Sequence, residues 1–249
     1  MIMREHWPER IWLVRHGESA GNVALAAANA AGLPWVDVGQ RDADVALSQR
    51  GEQQADALGR WFAESPDRAP DVVLTSPYLR ARQTAERVAG AAHAFTVDER
   101  LREREFGILD RLTRAGIVQL QPQQAELRTL LGKFYHRPPG GESWCDIILR
   151  LRSALDTISL HHAGQRVLIV CHQVVVLCFR YLLEKLDEEK LLAIDALGDV
   201  ANCSITEYGF SPDAGGNGEM RLERYNFVVP LQQEGAPVTT APDANVAAR

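Results

Sequence analysis

The stretch IWLVRHGESAGN, residues 11–22, is an apolar, strand-forming run that stops at Arg15, His16 and Gly17. A continuous run of this kind reads as a strand buried on both faces of a sheet. Gly17 frees the backbone to turn at its end. An arginine at the end of a buried strand is costly unless an anion meets it. The stretch therefore predicts a central strand that delivers a guanidinium and an imidazole to an anion pocket.

Outward from it, similar runs recur: RIWLVR (10–15) itself, DVVLTS (71–76), a weaker AFTVDE (94–99) and RVLIVCH (166–172), each followed by helix-like sequence. This alternation predicts an α/β fold, a three-layer sandwich with a mostly parallel central sheet and helices on both faces. Ser48 is placed to cap SQRGEQQADALGRWFAE, with Glu52 in its first turns, and Ser143 to start SWCDIILRLRSALDTISLHH. Pro77 reads as a first helical residue of PYLRARQTAERVAGAA, and QVVVLCFRYLLEKL follows the last central strand. CSITEYGF (203–210) and EMRLERYNFVV (219–229) flank the glycine-rich SPDAGGNG and predict a hairpin at the sheet edge. Residues 231–249 lack periodicity and predict a disordered tail after a domain spanning 1–230.

Composition narrows the function. With 249 residues, 46% of them hydrophobic and 24% charged, the chain can bury a full core. Its net charge of −6 argues against nucleic-acid or anionic-membrane partners, which need a broad basic footprint. MIMREHWPER has no apolar leader core and no stretch reaches membrane-spanning length, so a cytoplasmic protein is expected. Cys145, Cys171, Cys178 and Cys203 show no CxxC spacing, so neither a disulfide framework nor a zinc site is expected. No cluster of His, Asp and Glu stands at ligand spacing, and no metal or other cofactor is expected.

In open α/β sheets, ligands bind beyond the carboxyl ends of the strands. Arg15 and His16 lie at one such end, His172 and Gln173 at another, Arg80 in the helix after the second run, and Glu103 in the loop LREREFG. Two arginines and two histidines suit a tetrahedral dianion, read by guanidinium forks. A carboxylate beside them is best used as a proton carrier. Glu99, Glu103 and Glu105 share one charged stretch, in which the LRE frame favours Glu103 and leaves Glu105 as its rival. His161 and His162 end a helix, His6 and His93 lie in surface segments, and Arg82 is off the face of Arg80; none is assigned a role.

LVRHGESAGN, SPYLRARQTAE, LREREFG and RVLIVCHQ, in that order, resemble the signatures of the histidine phosphatase superfamily, the phosphoglycerate-mutase-like fold. The resemblance implies that His16 is a nucleophile forming a phosphohistidine and that Arg15, Arg80 and His172 bind the phosphoryl oxygens. It further implies Asn22 at the pocket edge, Glu103 as general acid, a small phosphorylated substrate and no metal. The short interval from Glu103 to His172 is similar to the phosphatases rather than to the cofactor-dependent mutases. KFYHRPPGGES and VLIVCHQ resemble the bisphosphatase domain of the bifunctional fructose 2,6-bisphosphate enzyme. By that likeness Arg128, Lys133 and Gln173 hold the remote end of the substrate, in a segment of about 112–142 inserted over the pocket; the alternative is that both cations are solvated on a helix exterior. Arg114 stands where that domain has a tyrosine, and Leu177 where it has an arginine. The long stretch VALAAANAAGLPWVDVGQRDADVALSQRG is either a wall or lid carrying Arg41, Asp42 and Asp44, or a surface loop. Two other readings stay open: a mutase that returns the phosphoryl group to a second acceptor, and a binding module without turnover.

Overall fold

In the computed structural model, which describes residues 7–90, 94–212 and 218–240, six strands form one sheet. They are β1 (Arg10–Arg15), β2 (Val72–Thr75), β3 (Thr96–Val97), β4 (Arg166–Cys171), β5 (Ile205–Ser211) and β6 (Glu219–Phe227), in the order β3-β2-β4-β1-β5-β6. The first four run parallel, and β5 and β6 close one edge as an antiparallel hairpin. Its loop, like His6 and His93, falls largely outside the described residues.

The helices are α1 (Ala20–Ala30), α2 (Gln49–Ala63), α3 (Leu79–Ala89), α4 (Arg114–Leu120), α5 (Pro122–Tyr135), α6 (Trp144–His161), α7 (Gln173–Leu183), α8 (Glu188–Leu197) and α9 (Val229–Gln233). Side chains alternate across a strand, so β1 serves two cores. Ile11 and Leu13 face α6 and α7, meeting Trp144, Ile147, Leu151 and Val175. Trp12 and Val14 face α2 and α3, meeting Leu58, Phe62, Ala81 and Ala85. Every central position is buried on one face or the other, which makes the architecture three-layered, as the sequence predicts. None of the described helices is long and apolar enough to cross a membrane.

Local signals place most helix starts. Ser48 Oγ accepts the Gly51 N–H at 3.0 Å, and Ser143 and Asp146 form a reciprocal capping box at the head of α6. Pro77 departs from expectation. Tyr78 is the cap of α3, and Pro77 lies outside the helix because Ser76 Oγ accepts the Tyr78 N–H at 3.3 Å and holds the chain extended there.

The expected disordered tail is the larger correction. Leu231, in α9, is fully buried in the core of α2 and α3. Beyond it, Gln54 Nε2 donates to the Pro237 carbonyl and to Thr239 Oγ1, both at 2.8 Å, and the Asn202 N–H donates to the Thr239 carbonyl at 2.9 Å. One apolar anchor and a few backbone bonds order residues 231–240, and neither leaves a periodic pattern. Residues 241–249 lie outside the described residues.

Two small cores stand apart from the sheet. Phe106, Leu109, Leu112 and Ile117 support α4 and α5, while Leu25 and Ala28 of α1 hold Val36. Between α1 and α2, residues 31–47 form a strap whose Trp35 bridges to Leu112.

Candidate active site

The carboxyl ends of β1, β2 and β4 converge, and a helix starts shortly after each: α1, α3 and α7. Helix N-termini pointing at one spot favour an anion there. Arg15 and Cys171 are partners in the register of β1 and β4, so His16 and His172 leave the sheet side by side. The His16 N–H donates to the Cys171 carbonyl at 3.0 Å, and the two imidazoles lie 5.1 Å apart between centroids. Both are fully buried, as are Arg15 and Ser76.

Hydrogen bonds fix the His16 ring. Nδ1 lies 2.7 Å from the Gly17 carbonyl, an acceptor only, so Nδ1 carries the proton. Arg80 Nε, a donor only, approaches Nε2 at 3.2 Å, so Nε2 presents its lone pair. That is the tautomer a nucleophile needs. Behind the ring, Asn202 Nδ2 donates to the His16 carbonyl at 3.0 Å, and Thr239 Oγ1 donates to Asn202 Oδ1 at 2.9 Å. The Glu18 N–H donates to Gln54 Oε1 at 2.8 Å. The C-terminal segment thus braces the loop at residues 16–18 from behind.

Gly17 is required for a reason other than the expected one. It does not adopt a left-handed conformation; a Cβ there would stand 2.5 Å from the Gly51 carbonyl oxygen, because the loop runs against the first turn of α2.

Glu103 is buried, accepts the Arg104 N–H at 2.7 Å, and has its other oxygen 3.7 Å from His172 Nδ1. Its rival Glu105 is exposed and accepts from the Tyr78 hydroxyl at 3.1 Å. Burial, then the carboxylates Glu105, Asp42 and Glu103, push the Tyr78 phenol far above its ordinary range, so it stays a donor. The Tyr78 ring packs edge-on against His172 at 5.1 Å, and His172 Nε2 meets Ser76 Oγ at 2.8 Å. Sequence reasoning missed Ser76 and Asn202. Ser76 ends β2 as His16 follows β1, which is a legible position; nothing local marks Asn202.

Asn22 is buried at the start of α1, where its side-chain oxygen accepts the Ser19 N–H at 2.8 Å in a capping box. Gln173 Nε2 donates to Asp199 Oδ1 at 2.7 Å. Lys133 pairs with Asp195 of α8 and lies 5.2 Å from the Trp144 ring centroid. Burial lowers the Lys133 ammonium below its ordinary value against the pull of Asp195, with Arg128 adding to the lowering and Asp199 opposing it. Arg128 is lowered likewise by burial, with Asp195 opposing and Arg114 reinforcing. Arg104 falls to about 10, through burial first and then Arg128. Arg128, Lys133 and Gln173 therefore share one crowded cationic corner with Asp195 and Asp199, and neither cation is freely solvated. Arg82 is exposed, and among the described residues no group of three or more His, Cys, Asp and Glu is placed to hold a metal ion.

Residues 11–222 match the family described as histidine phosphatase superfamily (branch 1). The chain is 31% identical over 190 residues to a 6-phosphofructo-2-kinase/fructose-2,6-bisphosphatase of Bos taurus, covering 76% of this chain and 36% of that protein. The corresponding protein of Aquarana catesbeiana is 33% identical over 185 residues, covering 73% and 34%. The chain thus spans about a third of the length of these curated relatives. Among solved structures, a mycobacterial glucosyl-3-phosphoglycerate phosphatase with VO3 is similar at a TM-score of 0.69 and 25% identity, over 88% of this chain and 99% of that one. An α-ribazole phosphatase of Shigella flexneri shares the fold at a TM-score of 0.69 and 21% identity, over 88% and 97%. With the paired histidines and arginines at the sheet edge, these likenesses place the chain in one family: it belongs to the histidine phosphatase superfamily, branch 1, and its relatives and structural neighbours are phosphatases.

Proposed function

We propose that the chain is a metal-independent phosphomonoesterase that works through a phosphohistidine on His16. The observation that carries this reading is the fixed tautomer: Nδ1–H on the Gly17 carbonyl and the Nε2 lone pair beside Arg80. In the first step Nε2 attacks phosphorus and the P–O bond to the leaving group breaks as Glu103 gives that oxygen a proton. In the second step Glu103 takes a proton from water, whose oxygen forms a P–O bond as the P–N bond breaks. Arg15, Arg80 and His172 spread the phosphoryl charge, so no metal is needed for that task. Asn22 holds the loop after His16 through its cap. The small substrate carries a second anionic group; Arg128, Lys133 and Gln173 hold it, and relief of crowding among Arg104, Arg114 and Arg128 favours it. Four cysteines without disulfides agree with a reducing, cytoplasmic setting.

The test is covalent trapping. His16→Ala should abolish turnover and acid-labile, base-stable labelling by a radioactive phosphoester, while wild-type activity survives a chelator. Labelling that persists in the variant refutes His16 as its site; isomerisation of a phosphorylated sugar or acid without free phosphate identifies a mutase instead.

A further inference from the structure

The strap over the site is pinned at both ends. The Val36 N–H donates to the Arg111 carbonyl at 2.8 Å, and Thr113 Oγ1 donates to the Leu33 carbonyl at 2.7 Å. At its other end the Ala20 N–H donates to the Ala46 carbonyl at 3.0 Å, and the Leu47 N–H to Gln83 Oε1 at 2.9 Å. Between the pins a single helical turn, Asp42–Asp44, lays its first residue on Arg80. Arg80 Nη1 donates to the Asp42 carbonyl at 2.7 Å and to Oδ1 at 3.1 Å, while Nη2 donates to Oδ2 at 3.2 Å. The Arg80 side chain is only 2% exposed, and that of Asp42 is 18% exposed.

A carboxylate straddling both terminal nitrogens of a guanidinium uses the same fork that grips two phosphoryl oxygens. The other edge of Arg80 faces His16 Nε2, so Asp42 lies across the guanidinium from the nucleophile. We propose that Asp42 is a resident anion that holds the phosphoryl seat on Arg80 when substrate is absent, yields to the incoming phosphoryl group, and returns as product phosphate leaves. The proposal rests on the reading of Arg80 as a phosphoryl ligand. A buried guanidinium stripped of its anion is expensive, and Asp42 avoids that state at both ends of the cycle. Because Asp42 is nearer the rim, its carboxylate can be rehydrated by a small turn of residues 41–44. The cost of displacing it falls equally on every ligand that needs the seat, as a reduction in the binding-competent fraction. Asp42 therefore weakens substrate and product binding by one common factor and speeds phosphate release.

Calorimetric titration with inorganic phosphate tests this without turnover. Asp42→Asn and Asp42→Ala should each bind phosphate about tenfold more tightly than wild type, the factor expected if the seat is open about a tenth of the time. In steady state KM and the phosphate inhibition constant should fall together, without a rise in kcat. A larger rise in melting temperature on adding phosphate to either variant than to wild type gives the same answer from thermal denaturation. Unchanged or weaker phosphate binding in both variants, with binding lost in Arg80→Ala, overturns the resident-anion role and leaves the phosphoryl role of Arg80 standing. Arg80→Ala binding phosphate as tightly as wild type overturns both.

Discussion

The floor of the proposed pocket hangs from paired strands, whereas its proposed roof rests on α4, α5 and the strap. On the floor, His16, Arg15, His172 and Ser76 are fully buried, and His16 and His172 are set by the register of β1 against β4. In the roof, Arg128 and Lys133 are only partly buried on a helix broken at Gly132, where φ is 77°, and both sit near the acid Asp195. Under the proposed function the buried, strand-held floor stabilises the transition state, since preorganised groups need no rearrangement at the moment of reaction. Under the proposed function the roof serves recognition, because charges binding ground and transition states alike change KM more than kcat.

The largest effect that could break this contrast lies at the floor. Glu103→Gln should lower kcat on alkyl phosphates by about 10²–10⁴-fold and much less on an aryl phosphate whose phenolate leaves unaided. Glu105→Gln, altering an exposed carboxylate that accepts from the Tyr78 hydroxyl, should change kcat little. Equal losses on both ester classes for Glu103→Gln, or the larger loss at Glu105, would move the acid role out of the buried floor.

At the roof the change should appear in KM. Arg128→Ala with Lys133→Ala should raise KM about 10- to 100-fold, about 1.4 to 2.7 kcal/mol, for substrates with a second anionic group. A small neutral aryl phosphate should be hardly affected. A fall in kcat with KM constant would place these cations with the chemistry instead.

The smallest effect sharpens the floor itself. If the C-terminal segment braces the loop at residues 16–18 through Asn202 and Gln54, Thr239→Val should cost about 0.5–1.5 kcal/mol. Thermal denaturation should record this as a fall of a few degrees in Tm. An unchanged Tm would show that residues 237–240 lie against the loop without supporting it.

What could be read in advance follows the range of each interaction. Continuous apolar runs mark β1 and β4 because strands buried on both faces admit little else. Ser48 and Ser143 are legible as caps because each bonds a backbone group three residues away. The polar residues at the ends of those strands could be gathered into one pocket because a parallel sheet brings its carboxyl ends together. Pro77 was misplaced by a single side chain, Ser76, that competes locally for the Tyr78 N–H. Residues 231–240 looked unstructured because their order depends on distant partners and not on a repeat of their own.

By itself, then, the sequence determined the layered sheet, the helices on both faces, and the set of residues at the sheet edge, since periodicity, caps and strand ends are written within a few residues. The tertiary structure alone decided that Asp42 meets Arg80 from 38 residues away, that Lys133 meets Asp195 across 62, and that Thr239 meets Gln54 across 185. It also decided that Gly17 is needed for the close approach of α2 and not for its turn. Such pairings depend on where the strap, α8 and the C-terminal segment come to rest against the packed core, and no local pattern encodes the partner at that distance.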